Sequence, residues 1–194
     1  MPDLECRPLI AARWGDLERL FGPRGACGGC WCMWFRLSGA RFRSGAGDAN
    51  RAALRRLVDA GAPTGLIAYR SGAPVGWCAV APRRDQPRLT RSPLVRAAER
   101  LRPALEPVWA VTCLYLPPAH RGQGVARALV RAAVDHAGSA GARTIEAYPR
   151  DPQARPVTAE AAYVGLLPLF ADLGFQEVAR PWPARPVVRR SLPM

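Results

Sequence analysis

The stretch Leu-Tyr-Leu-Pro-Pro-Ala-His-Arg-Gly-Gln-Gly-Val-Ala, residues 114–126, joins an apolar run to an alanine-rich segment of helical period. Gly122 and Gly124 put no Cβ between the backbone and an approaching phosphate. A helix opening at this point offers unpaired N–H groups and the positive end of its dipole. Such a place suits a pyrophosphate, and Arg121 adds a charge beside it. Two carboxylates could take a proton nearby: Glu146 on the next predicted strand first, and Glu106 at the entrance of the preceding one second. Tyr115, Tyr148 and Tyr163 carry phenol protons. His120 borders the turn, and His136 lies near the helix C-terminus, where a partial positive charge is favoured.

Alternative readings of the turn are weaker. A P-loop would need Gly-Lys-Ser/Thr, which is absent. A dinucleotide fingerprint would need a third glycine where Arg127 stands, in the first βα unit instead of mid-chain. An ordinary tight turn is the plain alternative.

The second unusual stretch is CGGCWCMWF, residues 27–35. Cys27, Cys30 and Cys32 leave a tetrahedral zinc one ligand short, to be supplied by Cys6, Cys78 or Cys113. A Cys-Gly-Gly-Cys redox pair should open a helix in a thioredoxin-like unit, and this one does not. The expectation is no metal. Trp31, Met33 and Trp34 are expected to wall a substrate pocket or to pack the core, with the cysteines as small buried hydrophobes.

These groups need a scaffold. The chain has 194 residues and 49% hydrophobic content, enough for one core. The periodicity predicts helices over 16–21, 48–60, 93–102, 124–137 and 167–173. Asp48 is expected as an N-cap, and Gly61, Gly138 and Gly174 as stops. Strands are expected at 64–70 and 74–82 as a hairpin, at 108–116 as a central strand, and at 143–149, 175–180 and 186–192. The fold class is α/β (α+β): one mixed, mostly antiparallel sheet with helices on both faces. No apolar run reaches 18 residues, and no signal core opens the sequence, so a cytoplasmic, reduced protein is expected. The net charge is +13, with 28 arginines and no lysine. That favours anionic partners. A reading helix or an aromatic RNP-type strand is missing, so nucleic-acid binding is the lesser alternative.

Arg-Gly-Gln-Gly-Val-Ala, residues 121–126, resembles the R/Q-x-x-G-x-G/A motif of the GNAT superfamily of acyl-CoA-dependent N-acyltransferases. LFADLGF, residues 169–175, resembles the superfamily's late helix-to-strand segment, and the likeness spans about residues 64–180. The Cys/Trp-rich stretch and GWCAVAPR, residues 76–83, suggest a subgroup. The resemblance implies a single domain: 1–62 a helical acceptor-side region, 63–180 the acyl-CoA-binding core, 181–194 a C-terminal strand. It implies acetyl-CoA as cosubstrate and direct attack by an amine of a small molecule or peptide. Leu114, Tyr115 and Leu116 would hold the pantetheine arm. Arg121, Gly122, Gln123, Gly124, Val125 and Ala126 would hold the pyrophosphate. Trp31, Met33 and Trp34 would face the acceptor, and Glu146 would be the base. The residue that usually protonates the thiolate is a tyrosine in the late helix. Phe170 stands there, so Tyr163, Tyr148, Tyr115 or water would serve. That departure leaves open a GNAT-fold protein that binds acyl-CoA without turnover. A monomer or homodimer without membrane association is expected.

Overall fold

The computed structural model describes residues 4–193. Seven strands form one sheet: β1 (Leu4–Pro8), β2 (Leu66–Arg70), β3 (Ala73–Pro82), β4 (Val108–Tyr115), β5 (Thr144–Ala147), β6 (Gln176–Trp182) and β7 (Arg185–Ser191). Their order is β1-β2-β3-β4-β5-β7-β6. Only β4 and β5 run parallel; every other neighbouring pair is antiparallel. The mixed, mostly antiparallel sheet matches the expected fold class.

Helix α6 (Val125–Ser139) covers one face, burying Val125, Leu129, Ala133 and Ala137, the residues whose spacing predicts it, together with Val130 and Val134. It lies close because Gly76 on β3 has no side chain. A Cβ there would come within 2.8 Å of Val125. Helices α1 (Trp14–Phe21), α2 (Gly39–Ser44) and α3 (Asp48–Asp59) lie N-terminal to the β2–β3 hairpin. With the Cys/Trp stretch they contribute to a second cluster around Trp77 and Ile67. A third cluster packs α4 (Pro87–Thr90) and α5 (Pro93–Leu101) near Ala110 on β4, Tyr148 just past β5 and Val187 on β7. The short α7 (Leu167–Ala171) sets Phe170 edge-on against Phe175, 5.3 Å between ring centroids.

The differences from the sequence expectations are local. Gly47, not Asp48, is the N-cap of α3, and Asp48 sits in the first turn, where the dipole still favours it. Gly138 stays helical, and the chain turns at Gly141 with φ of 80°. β1 lies in the region expected to be wholly helical. Leu4-Glu5-Cys6-Arg7 alternates apolar and charged over only four residues before Pro8, too short a run to mark a strand by itself, and pairing to β2 from Leu4↔Arg70 to Pro8↔Leu66 gives it an edge place in the sheet.

The site is made where β4 and β5 part. β4 pairs with β3 as far as Tyr115, but with β5 only from Val108 to Val111. A register shift between Cys113 and Val111 leaves Thr112 without a partner on β3. Among the described residues the β5-facing edge of β4 has no pairing strand beyond Val111, so its polar backbone groups are open to another extended chain.

Candidate active site

Two cavities meet at this split. The larger, about 650 Å³, is bordered by Leu114, Tyr115 and Leu116 at the end of β4 and by Arg121, Gly122, Gly124, Val125 and Ala126 at the opening of α6. Gly124 is the N-cap of α6 in the left-handed conformation, φ 77°, and nothing lies within 4 Å of where its Cβ would project. The first turn of α6, Gly124 to Arg127, borders this cavity, and a helix N-terminus leaves its first amides without intrahelical partners. Arg121 is anchored by its Nε donating to the Leu116 carbonyl at 3.1 Å. Gln123 is turned elsewhere: its side chain bonds Arg70 and donates to the Ala119 carbonyl, and it does not line the cavity. Eight of the nine residues expected to hold a cofactor are thus brought together along one wall.

The smaller cavity, about 370 Å³, is walled by Cys30, Cys32, Trp34, Phe35, Phe42, Thr112 and Cys113. The two share Ala26, Cys27, Tyr115, Glu160 and Tyr163, so one continues into the other. Trp34 is in this wall, its ring edge-on to Phe42. Trp31 and Met33 are not. Trp31 is buried against Trp14, Phe21 and the Arg51 guanidinium, and Met33 packs in the same cluster. The chain reverses through this stretch with φ of 42° at Trp31 and 53° at Cys32, which points neighbouring side chains in different directions. Gly29 enables that path: a Cβ on it would meet the Gly47 backbone at 2.2 Å.

Cys30 and Cys32 are held as thiols. Cys32 accepts from the Trp77 indole N–H at 3.1 Å, and Cys30 donates to the Gly25 carbonyl at 3.5 Å. Hydrogen bonding to Cys113 and burial push the Cys32 thiol well above its usual range; bonding to Cys32 and burial do the same for Cys30. A protonated thiol is a poor nucleophile and metal ligand. Among the described residues no three His, Cys, Asp or Glu side chains are grouped as a metal ion requires.

Tyr163 stands at the junction on a single 3-10 turn, Ala161–Val164, 36% exposed. Burial and the neighbouring Cys113 raise its phenol, and the charges of Arg185, Arg150 and Arg88 oppose the rise. It is therefore a neutral hydroxyl near pH 7, able to donate. Glu160 is the one carboxylate lining either cavity among the described residues, and the sequence reading missed it. It is a solitary acid in an irregular segment, with no periodicity to mark it.

Glu146 is not brought to the cavities. It faces the α4–α5 side, fully buried, where Arg83 Nη1 donates to it at 2.5 Å and the Tyr148 hydroxyl at 2.9 Å, with Arg189 Nε at 3.3 Å. Arg83 also holds Glu99 at 2.5 Å and Glu106 at 2.9 Å. Burial raises the Glu146 carboxyl, and Arg83 and Arg189 oppose the rise. Both carboxylates favoured as bases, and Tyr148 with them, belong to this ion network. Phe170 is fully buried core, so it offers no position for a proton donor.

Residues 31–160 match the Acetyltransferase (GNAT) family, two thirds of the chain. No curated protein matches the chain by sequence. Solved structures resemble it over nearly their whole length. A mosquito arylalkylamine N-acetyltransferase-like protein, 5b, superposes with a TM-score of 0.59 at 12% identity, covering 98% of this chain and 100% of that one. The PaiA N-acetyltransferase of Thermoplasma acidophilum in complex with coenzyme A gives 0.55 at 12% identity, covering 97% and 99%. A GCN5-related N-acetyltransferase of Kribbella flavida gives 0.52 at 20% identity, covering 97% and 98%. At these identities the likeness is one of fold.

Proposed function

Because the chain belongs to the Acetyltransferase (GNAT) family, we propose that it moves an acetyl group from acetyl-CoA to a primary amine at the split between β4 and β5. The observation that carries this is the unpaired edge of β4 beyond Val111, whose end borders the same cavity as the N-terminus of α6. The residues present fit the cosubstrate. The backbone of Leu114–Leu116 can pair with the extended pantetheine arm as an added strand would. Gly122, Gly124 and the α6 N-terminus suit the pyrophosphate, with Arg121 beside them. The PaiA N-acetyltransferase of the same fold was solved in complex with coenzyme A, which supports acetyl-CoA as the cosubstrate.

The thioester supplies an activated acetyl group. In the transfer a C–N bond forms, the C–S bond breaks, the amine gives up a proton and the departing sulfur gains one. A backbone N–H near Leu116 would polarise the thioester carbonyl. Trp34, Phe35 and Phe42 would hold the acceptor's apolar part and exclude water, so that proximity supplies much of the rate. Tyr163, at the junction with its phenol kept protonated, is assigned to protonating the sulfur. Glu160, on the same rim, is assigned to taking the amine proton, directly or through water. Glu146 is assigned a positioning role: it ties β5 to Arg83 and so fixes where β5 leaves β4.

The test is coenzyme A release from acetyl-CoA with a mixture of primary amines, the product identified by mass. Amine-dependent release is expected. Binding of acetyl-CoA with no acetylated product from any amine would leave an acyl-CoA-binding protein and sink the transfer reading.

A further inference from the structure

Three arginines whose charges reach Tyr163, at the junction of the two cavities, have no acidic partner among the described residues. Arg83, Arg180 and Arg189 each hold a carboxylate. Arg88, Arg150 and Arg185 form no ion pair and donate no side-chain hydrogen bond among the described residues. Each keeps one nitrogen shut off from solvent and unpartnered: Arg88 Nη1, Arg150 Nε and Arg185 Nε. Leaving such groups unmade is costly, and placing guanidinium groups beside one another adds repulsion.

Their placement ties them to the cavity. Arg88 lies with its guanidinium 3.4 Å from the ring centre of Trp34, and its amide donates to the Phe35 carbonyl at 3.2 Å; both aromatics are cavity wall. Arg150 is fastened to the segment that follows Tyr163, its amide donating to Gly165 at 2.9 Å and its carbonyl accepting from Leu167 at 2.8 Å. The Asp151 amide bonds the Ala184 carbonyl at 3.2 Å, which sets the start of β7, with Arg185, next to Arg150. All three charges are felt at the Tyr163 hydroxyl. Burial and then Arg150 hold the Arg185 guanidinium below its usual range, so the repulsion is not relieved within the protein. The nearby acids do not answer it: Asp151 is taken by Arg180 at 2.7 Å, and Glu160 pairs with none of the three.

We propose that the acetyl acceptor is an amine that also bears an oxyanion, carboxylate or phosphate, and that Arg150 and Arg185, assisted by Arg88, hold that group beyond the reacting nitrogen. The planar guanidinium fork suits either oxyanion, two bonds at a time. The apolar wall of Trp34, Phe35 and Phe42 would hold the carbon skeleton between the two ends. Polyamines, with a second cation in place of the anion, are disfavoured by the same charges. This rests on reading the smaller cavity as the acceptor side.

The experiment uses matched primary amines: amino acids and aminoalkyl phosphonates, the amides of those amino acids, and diamines. Each is assayed for acetyl-CoA-dependent thiol release, and each is titrated calorimetrically into the coenzyme A complex. Carboxylate or phosphonate amines are expected to exceed their amides and the diamines in kcat/KM by roughly tenfold or more, the factor one charge-assisted bond supplies. The phosphonate arm separates the two anions. Arg185→Gln and Arg150→Gln should each bring that preference close to parity, with acetyl-CoA affinity as the control that the fold survives; Arg88→Gln, over the Trp34 ring, is the milder third variant. Equal turnover of acids and amides, or a preference for diamines, would overturn the proposal. Arginine-dependent binding of the acids with no product from any amine would support the anion site and defeat acetyl transfer. The converse, turnover of amides and diamines alone, would keep the transfer and defeat the anion site.

Discussion

Losing Arg83 strands buried charge, and Arg83→Met isolates the effect. Its guanidinium is 8% exposed and serves Glu99, Glu146 and Glu106 at once. The full network sets two arginines against three carboxylates, since Arg189 also reaches Glu99 at 2.6 Å and Glu146 at 3.3 Å. Without Arg83, three carboxylates face one guanidinium. Glu106 can turn to water, but Glu146 is fully buried and cannot. Removing one partner of a buried pair costs about 3–5 kcal/mol. For a chain of this length each kcal/mol moves the midpoint by roughly 2–4 °C, so the melting temperature should fall by roughly 6–20 °C. The variant's pH dependence should also change. With the arginine gone, burial raises the folded-state pKa of Glu146 further above its unfolded value. The fold then keeps its stability below the unfolded carboxylate pKa, where Glu146 is protonated, and loses it as pH rises through the folded one. Thermal melts between pH 4 and 8 would show the penalty shrinking toward the acid end. Adding Glu146→Gln to Arg83→Met should recover much of the loss, because the stranded charge is then gone. A single variant that melts within about 2 °C of wild type at pH 7 would refute the argument, since that is less than one kcal/mol by the same scaling.

Tyr163→Phe should lower kcat by roughly ten- to a hundredfold and leave acetyl-CoA affinity intact; the low end of general acid catalysis is expected because a thiolate is a tolerable leaving group. Unchanged steady-state rates would free Tyr163 of the proton-donor role. His136 is half-buried and edge-on to Trp109, 5.4 Å between ring centroids, and burial holds its imidazole below its usual pKa. Its folded pKa is depressed, so stability should be lost as pH falls from the unfolded value of about 6.5 through the folded one. His136→Gln should flatten that part of the melting profile, and an identical slope would show that the group contributes nothing.

The fold was legible where local pattern and tertiary role coincide. Val125, Leu129, Ala133 and Ala137 announce α6 because the same spacing that makes the stripe also meets the sheet. The turn before α6 was legible as a candidate anion site because glycines, a helix start and an arginine fall together in one short segment, and they border one cavity. Core and cavity wall were not separable in CGGCWCMWF: Trp31 and Trp34 are the same residue type, and only the positive-φ path sends one inward and the other to the cavity. Glu146 had the right type on the right strand, yet Arg83, 63 positions away and one arginine among 28 basic residues, decides what it does. The unpartnered Arg88, Arg150 and Arg185 are hidden for the same reason, since being unpartnered is a property of space alone.

The central claim is that the split between β4 and β5, with the turn that opens α6, holds acetyl-CoA. Calorimetric titration of acetyl-CoA into wild type and Gly124→Ala, Gly124→Asp tests it most directly. Gly124 lies left-handed, so any side chain strains the turn by about 1–2 kcal/mol, and the alanine variant measures that strain alone. The aspartate adds a carboxylate where the pyrophosphate is expected. The account predicts one acetyl-CoA per chain for wild type, weaker binding for alanine, and a further loss of at least tenfold for aspartate. Wild type that takes up no acetyl-CoA, or an aspartate variant that binds as tightly as the alanine one, would contradict it.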